Sequence, residues 1–226
     1  MERSLGWLVV LGALGCIPTY APPIRGLHAG MPDRLGRGEV ELGGTAGGTI
    51  APPSYPTTGG PHLGYGLSRT LVLEVGGNLN FVFGSWATIW LGVRLPRERR
   101  LGRELKLVSD LELGAGAGLG GATASTTSPW RHTAFGFYQG LGVGLRWRWL
   151  GGFARVRLDA SQGDVTPATL WPSALLGAEA RAGHFVFALG AGAGGRWNTV
   201  DGFVGFWFYQ AQVTMVFDLV PGASAR

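Results

Sequence analysis

Side chains alternate along most of this chain. Between residues 37 and 220, apolar residues recur at every second position, separated by glycine or polar residues, in runs that end at turn-forming clusters. Successive side chains of an extended strand point to opposite faces, so a period of two means strands with one apolar and one polar face. Residues 104–119 put Leu105, Leu107, Leu111, Leu113 and Leu119 on one face and Glu104, Lys106, Asp110 and Glu112 on the other. Residues 206–220, FWFYQAQVTMVFDLV, set Trp207, Tyr209, Ala211, Val213, Met215, Phe217 and Leu219 against Gln210, Gln212 and Thr214. The same pattern marks strands near 38–46, 62–67, 70–78, 83–95, 135–149, 154–160, 170–182 and 184–195. The count is about ten, within a range of about 8 to 12.

A sheet of this kind has two environments open to it. In water its apolar face turns inward, as in a lipocalin-like barrel. In lipid it must close, because an open edge leaves unpaired backbone groups, and its apolar face turns outward. Composition separates the two. Charged residues are 15% of the chain, below the roughly 25–35% expected of a soluble surface. The faces opposite the leucines carry many of the 41 glycines and scattered charges, which suit a narrow interior. The glycines have no triplet period, which excludes collagen. With 46% hydrophobic residues the chain is not disordered. No apolar run after the first twenty residues is long enough for a membrane-crossing helix. Net charge is +5, but the one basic cluster, RLPRERRLGRELK (94–106), also holds glutamates and reads as a charged inter-strand turn. Nucleic-acid binding is therefore not expected.

Aromatic residues gather at strand ends, Trp147 and Trp149 at one end and Phe203, Trp207 and Tyr209 at the other, as at membrane interfaces. Turns near 68, 96–103, 150–152 and 183 are mostly short. Connections near 50–60, 78–82, 120–133, 162–169 and 196–202 are mostly longer. With these features in place, residues 37–220 resemble the small outer-membrane β-barrel proteins of bacteria, and YGLSRTLVLEVGG (65–77) is similar to their strand, tight turn, strand unit. The resemblance implies an all-β fold: a closed antiparallel up-and-down transmembrane barrel. It also implies outer-membrane lipid and the barrel-assembly machinery as partners. Phe217 is followed by nine residues, DLVPGASAR, a departure from the terminal aromatic of many such barrels.

MERSLGWLVVLGALGC opens the chain, with Arg3 before an apolar stretch over 5–14. That stretch is too short to span a bilayer and fits an export signal over 1–15. Ala13-Leu14-Gly15-Cys16 resembles a bacterial lipobox, which implies acylation of Cys16; ordinary cleavage after Gly15 is a second reading and a free buried cysteine a third. With no second cysteine there is no intrachain disulfide. Residues 17–36 hold four prolines and no period, so 16–36 reads as lipid-anchor cysteine and flexible linker. The barrel then occupies 37–220 and a tail 221–226.

Chemistry is sparse. His28, His62, His132 and His184 form no metal-ligand spacing. GAGAGLGG and GAGAGG lack the Lys-Ser/Thr of a phosphate loop, and no cofactor is implied. His132, near Ser125 and Ser128, is the one candidate for lipid A-modifying chemistry and reads more simply as a loop histidine. The lumen faces carry Glu39, Glu41, Glu74, Arg94, Asp110, Glu112, Arg146, Arg148, Arg155, Arg157, Asp159, Glu179 and Arg181. Charges in a narrow lumen are costly unless paired, so these are expected to form a network that plugs the barrel, Asp110 and Glu112 facing Arg146 and Arg148 on the next strand. The expected role is structural or surface interaction, without enzymatic activity. A narrow pore with a preference for anions is the alternative, and a lipid-tethered soluble barrel with an apolar ligand is a third reading. The target of the outer loops is not encoded in any motif.

Overall fold

The computed structural model describes residues 22–25, 29–31, 35–49, 56–80, 85–121, 132–164, 166–200 and 202–219. Ten strands follow one another: β1 (Glu39–Thr49), β2 (Pro56–Ser68), β3 (Leu71–Asn80), β4 (Ser85–Arg100), β5 (Leu105–Gly121), β6 (His132–Trp147), β7 (Leu150–Gly163), β8 (Thr169–Ala182), β9 (Phe185–Asn198) and β10 (Gly202–Asp218). Each pairs antiparallel with the next, and β1 pairs with β10, from Glu39 opposite Asp218 to Thr49 opposite Phe208. The sheet is a closed up-and-down barrel with no free edge.

The alternation sets which face is inside. Leu91, Leu141, Leu176, Leu189 and Trp207 stand on the outer wall, Leu141 at 57% exposure. Thr88, Arg94, Tyr138, Gln210, Gln212 and Thr214 point inward and are buried. A wall of leucine, valine and aromatic side chains around a polar interior is the inverse of a soluble barrel and suits hydrocarbon. Along GAGAGLGG, Gly114, Gly116, Gly118 and Gly120 take the inward positions and Ala115, Ala117 and Leu119 the outward ones, so the run clears interior space.

At one end the connections are tight: 69–70, 101–104, 148–149 and 183–184. Two of them use left-handed backbone, at Gly183 (φ 61°) and at the non-glycine Arg148 (φ 51°). The connections at the other end span 50–55, 81–84, 122–131, 164–168 and 199–201. Strand ends differ from expectation in places. β2 begins at Pro56, inside the expected loop. The charged stretch 94–106 is mostly strand, because β4 runs to Arg100 and pairs with β5 down to Lys106, leaving only 101–104 as turn. Of its inward charges, Arg94 is paired with Glu41 and Glu74 and Glu98 with Lys106 and Arg146, which lets the ladder continue through a highly charged sequence.

The larger correction concerns the expected linker. Residues 22–25, 29–31 and 35 lie inside the barrel, with Ile24 fully buried and Arg25, Ala29, Met31 and Leu35 nearly so. Ala29 and Met31 join Val108, Phe153, Leu175, Ala188 and Phe208 in the main buried apolar cluster. A segment threaded through a lumen joins no ladder and needs no period, so periodicity does not reveal it. Its prolines also have no amide proton to satisfy. The export signal, Cys16 and the tail 221–226 lie outside the described residues.

If this wall meets hydrocarbon, a charge at its middle is far costlier than one at its rim. Leu141→Arg is expected to destabilise the protein by about 2–4 kcal/mol in bilayer unfolding titrations, and Leu101→Arg at the tight-turn end by about 0–1 kcal/mol. Equal, small effects would mean an aqueous outer surface.

Candidate functional site in the barrel lumen

Inward positions on β1, β3, β4, β5 and β7 place Glu41, Glu74, Arg94, Asp110, Glu112, Arg155, Arg157 and Asp159 around one level of the lumen, all buried. Arg25 enters their centre from the threaded segment. Its Nη1 lies 2.9 Å from Glu74 Oε2 and 2.9 Å from Glu112 Oε2. Its guanidinium also lies over the Trp90 ring, 4.2 Å from the centroid, and near Tyr138. A planar cation between two carboxylates and two aromatic faces uses both properties of arginine: donors at its edge and affinity for π-faces.

Pairs spread outward from this centre. Arg94 bridges Glu41 (2.8 Å) and Glu74 (2.9 Å), and Glu41 also meets His62 Nε2 at 3.1 Å. Arg155 pairs with Asp110 at 2.7 Å and with Glu112 at 3.4 Å. Arg157 pairs with Asp159 at 3.0 Å and stacks on Tyr138. The Glu74 oxygens are held at ion-pair distance without aligned hydrogen bonds, so charge holds this group more than direction does.

The walls also grip the threaded backbone. Thr88 Oγ1 donates to the Ile24 carbonyl (2.7 Å), Arg157 to the Arg25 carbonyl (3.0 Å), and Arg155 Nε to the Gly30 carbonyl (2.8 Å). The Met31 amide donates to Glu179 (2.9 Å). Wall glycines leave the room. A Cβ at Gly116 or Gly136 would overlap Ile24, and one at Gly144 or Gly151 would overlap Met31. From Leu35 near the tight-turn end, the segment climbs past Met31 and Arg25 to Ile24 at the level of Thr88 on the upper wall.

Not every expected lumen charge lies at this centre. Glu39 accepts the Gly36 amide at the mouth. Glu179 and Arg181 pair with each other at 2.9 Å lower down. Arg146 is on the strand beside Asp110 and Glu112 and Arg148 is in the turn that follows it, but the register sets those carboxylates opposite Gly142 and Gly140. Arg146 instead meets Glu98 at 3.2 Å, and Arg148 meets Glu104 at 2.6 Å in the exposed turn. That hydrogen bond holds the Glu104 carboxyl below its ordinary range. Arg155 and Arg25 take the places expected of Arg146 and Arg148. Arg25, Trp90, Tyr138 and His62 are lumen residues that sequence reasoning did not bring together. For Arg25 the available signal was the glycine-lined interior, which leaves more space than side chains of the walls fill.

At the long-loop end His132 lies 3.6 Å from Asp164; Ser125 and Ser128 lie outside the described residues. Among the described residues no cluster of histidine, cysteine and carboxylates could hold a metal ion.

No family model and no curated protein matches this chain. Among solved structures it is similar to the N-terminal β-barrel domain of Pseudomonas aeruginosa OprF, with 14% identity over 81% of this chain and 100% of that one (TM-score 0.38). It is also similar to the outer membrane protease OmpT of Escherichia coli, with 9% identity over 86% of this chain and 100% of that one (TM-score 0.32). The translocator domain of the autotransporter NalP from Neisseria meningitidis matches at 13% identity over 83% of this chain and 90% of that one (TM-score 0.34). Likeness at this level adds nothing to what the strand ladder already shows.

Removing one member of a buried ion cluster strands its partners and costs about 3–5 kcal/mol. Arg25→Ala is expected to lower stability by about that amount in urea titrations of the folded barrel, with Glu74 and Glu112 left without their shared cation. Arg25→Lys, which keeps the charge but loses the planar fork, is expected to fall between the two.

Proposed function

We propose that this chain is a bacterial outer-membrane β-barrel with a structural or surface-interaction role, sealed by its own N-terminal segment. The observation that carries the reading is Arg25: a cation from outside the barrel wall, 2% exposed, seated between Glu74 and Glu112 in the middle of the lumen. A conducting pore needs a hydrated path at this level, and here ion pairs, Trp90 and Tyr138 occupy it. The apolar outer wall, the low charge content and the signal-like sequence of residues 1–15 support the membrane location. The lipobox-like Ala13-Leu14-Gly15-Cys16 supports acylation of Cys16.

The pore reading is favoured by one feature, that the segment joins no strand ladder and is held by side chains. Its selectivity would be opposite to the anion preference expected from the arginines of the sequence. Without Arg25, the central level holds Arg94, Arg155 and Arg157 against Glu41, Glu74, Asp110, Glu112 and Asp159. An opened lumen would favour cations. A tethered soluble barrel would need a free apolar space for its ligand, and here the apolar part of the interior is packed against Ala29 and Met31 of the chain's own segment.

Planar-bilayer recordings test the reading. The intact chain is expected to be electrically silent, and a variant lacking residues 22–35 to give cation-preferring steps. Steady conductance by the intact protein would overturn the sealed-barrel reading. Labelling with a radioactive fatty acid, lost in Cys16→Ser, tests the acylation.

A further inference from the structure

The lumen matches its charges; the tight-turn rim does not. β4 and β5 run on together below the first residue of β3 and end in the turn 101–104. On this hairpin Glu98 is neutralised by Lys106 and Arg146, and Glu104 by Arg148. Arg97, Arg99, Arg100 and Arg103 are exposed, and none of the four has a salt bridge or hydrogen bond among the described residues.

Their position matters more than their number. Arg97 and Arg99 continue the outward face of β4 directly below Ile89, Leu91 and Leu95. Along the ladder Arg99 lies opposite Leu107, which lies opposite Leu145; the next outward pair is Leu105 and Trp147. Leu145, Trp147, Trp149 and Leu101 are all exposed on this rim. Two arginines therefore stand on the apolar outer wall beside its tryptophan belt, with two more at the tip. On a wall that meets lipid, arginine is tolerated where its stem lies along apolar surface and its head reaches the headgroups. Tryptophan settles at the same depth. Unmatched positive charge at that depth is complementary to lipid phosphate.

We propose that the β4–β5 hairpin binds an anionic phospholipid headgroup of the leaflet at the tight-turn end, with Arg97 and Arg99 on the phosphate and Arg100 and Arg103 adding charge at the tip. The site rests on the membrane reading above but not on a closed lumen. It fixes the depth and the tilt of this hairpin in the wall.

The test uses the full chain in mixed micelles containing equal parts phosphatidylcholine and phosphatidylglycerol, with retained lipid identified by native mass spectrometry. Phosphatidylglycerol is expected to be retained in preference. Each arginine replaced by glutamine should weaken that preference about fivefold, the effect of one basic residue near an anionic surface. The variant Arg97→Gln, Arg99→Gln, Arg100→Gln, Arg103→Gln should lose it while keeping the heat-dependent gel shift of a folded barrel. Leu101→Gln, in the same turn, should leave it unchanged. Equal retention of the two lipids by the intact chain, or undiminished preference in the fourfold variant, overturns the proposal. Preferential binding of soluble anionic cell-wall fragments over phosphatidylglycerol also overturns it. Loss of the gel shift in the intact chain would instead count against the barrel's membrane reading, so the two failures are distinguishable.

Discussion

The pairing of β1 with β10 is the constraint on which the rest of the structure depends. Once that ladder closes, the described strands present no free edge, and every strand must commit one face to the inside. The backbone is then satisfied within the wall itself, as hydrocarbon requires. The cost moves to the interior. The polar face of each strand now looks into a narrow space in which charges are poorly hydrated and their mutual attraction is correspondingly strong.

The interior meets that cost in two ways. Neighbouring strands bring opposite charges to one level, as with Arg94 between Glu41 and Glu74 or Arg155 against Asp110. The walls alone carry more carboxylates than guanidinium groups at that level, and the threaded segment supplies Arg25 where the excess lies. Removing the segment would therefore do more than open space; it would leave Glu74 and Glu112 with less compensation. Seal and charge balance are one feature, which ties the stability of the barrel to its closure.

The outer surface follows a different rule. There the apolar wall needs no pairing, and charge is confined to the rims. The β4–β5 hairpin shows the change along a single strand: Ile89, Leu91 and Leu95 above, Arg97 and Arg99 below, with inward Glu98 still paired. The polarity of the outer face thus changes along one strand while its inward face stays paired.

The strands, their faces and the class of fold are legible in the residue order, because a period of two is a local property that any extended segment writes directly. The assignment of Gln210, Gln212 and Thr214 to the inside and of Leu105 through Leu119 to the wall needed nothing else. Register is not local. Whether Asp110 meets Arg146 or Arg155 depends on where β5 slides against β6 and on which side chains reach across the lumen, and only the closed ladder decided that Asp110 faces Gly142 across the strand and Arg155 across the space. Least legible of all was the segment around Arg25. It forms no strand, so it has no period, and its prolines and glycines read as a linker in water. Only the tertiary structure, by enclosing a glycine-lined, acid-rich space, made that stretch the centre of the molecule.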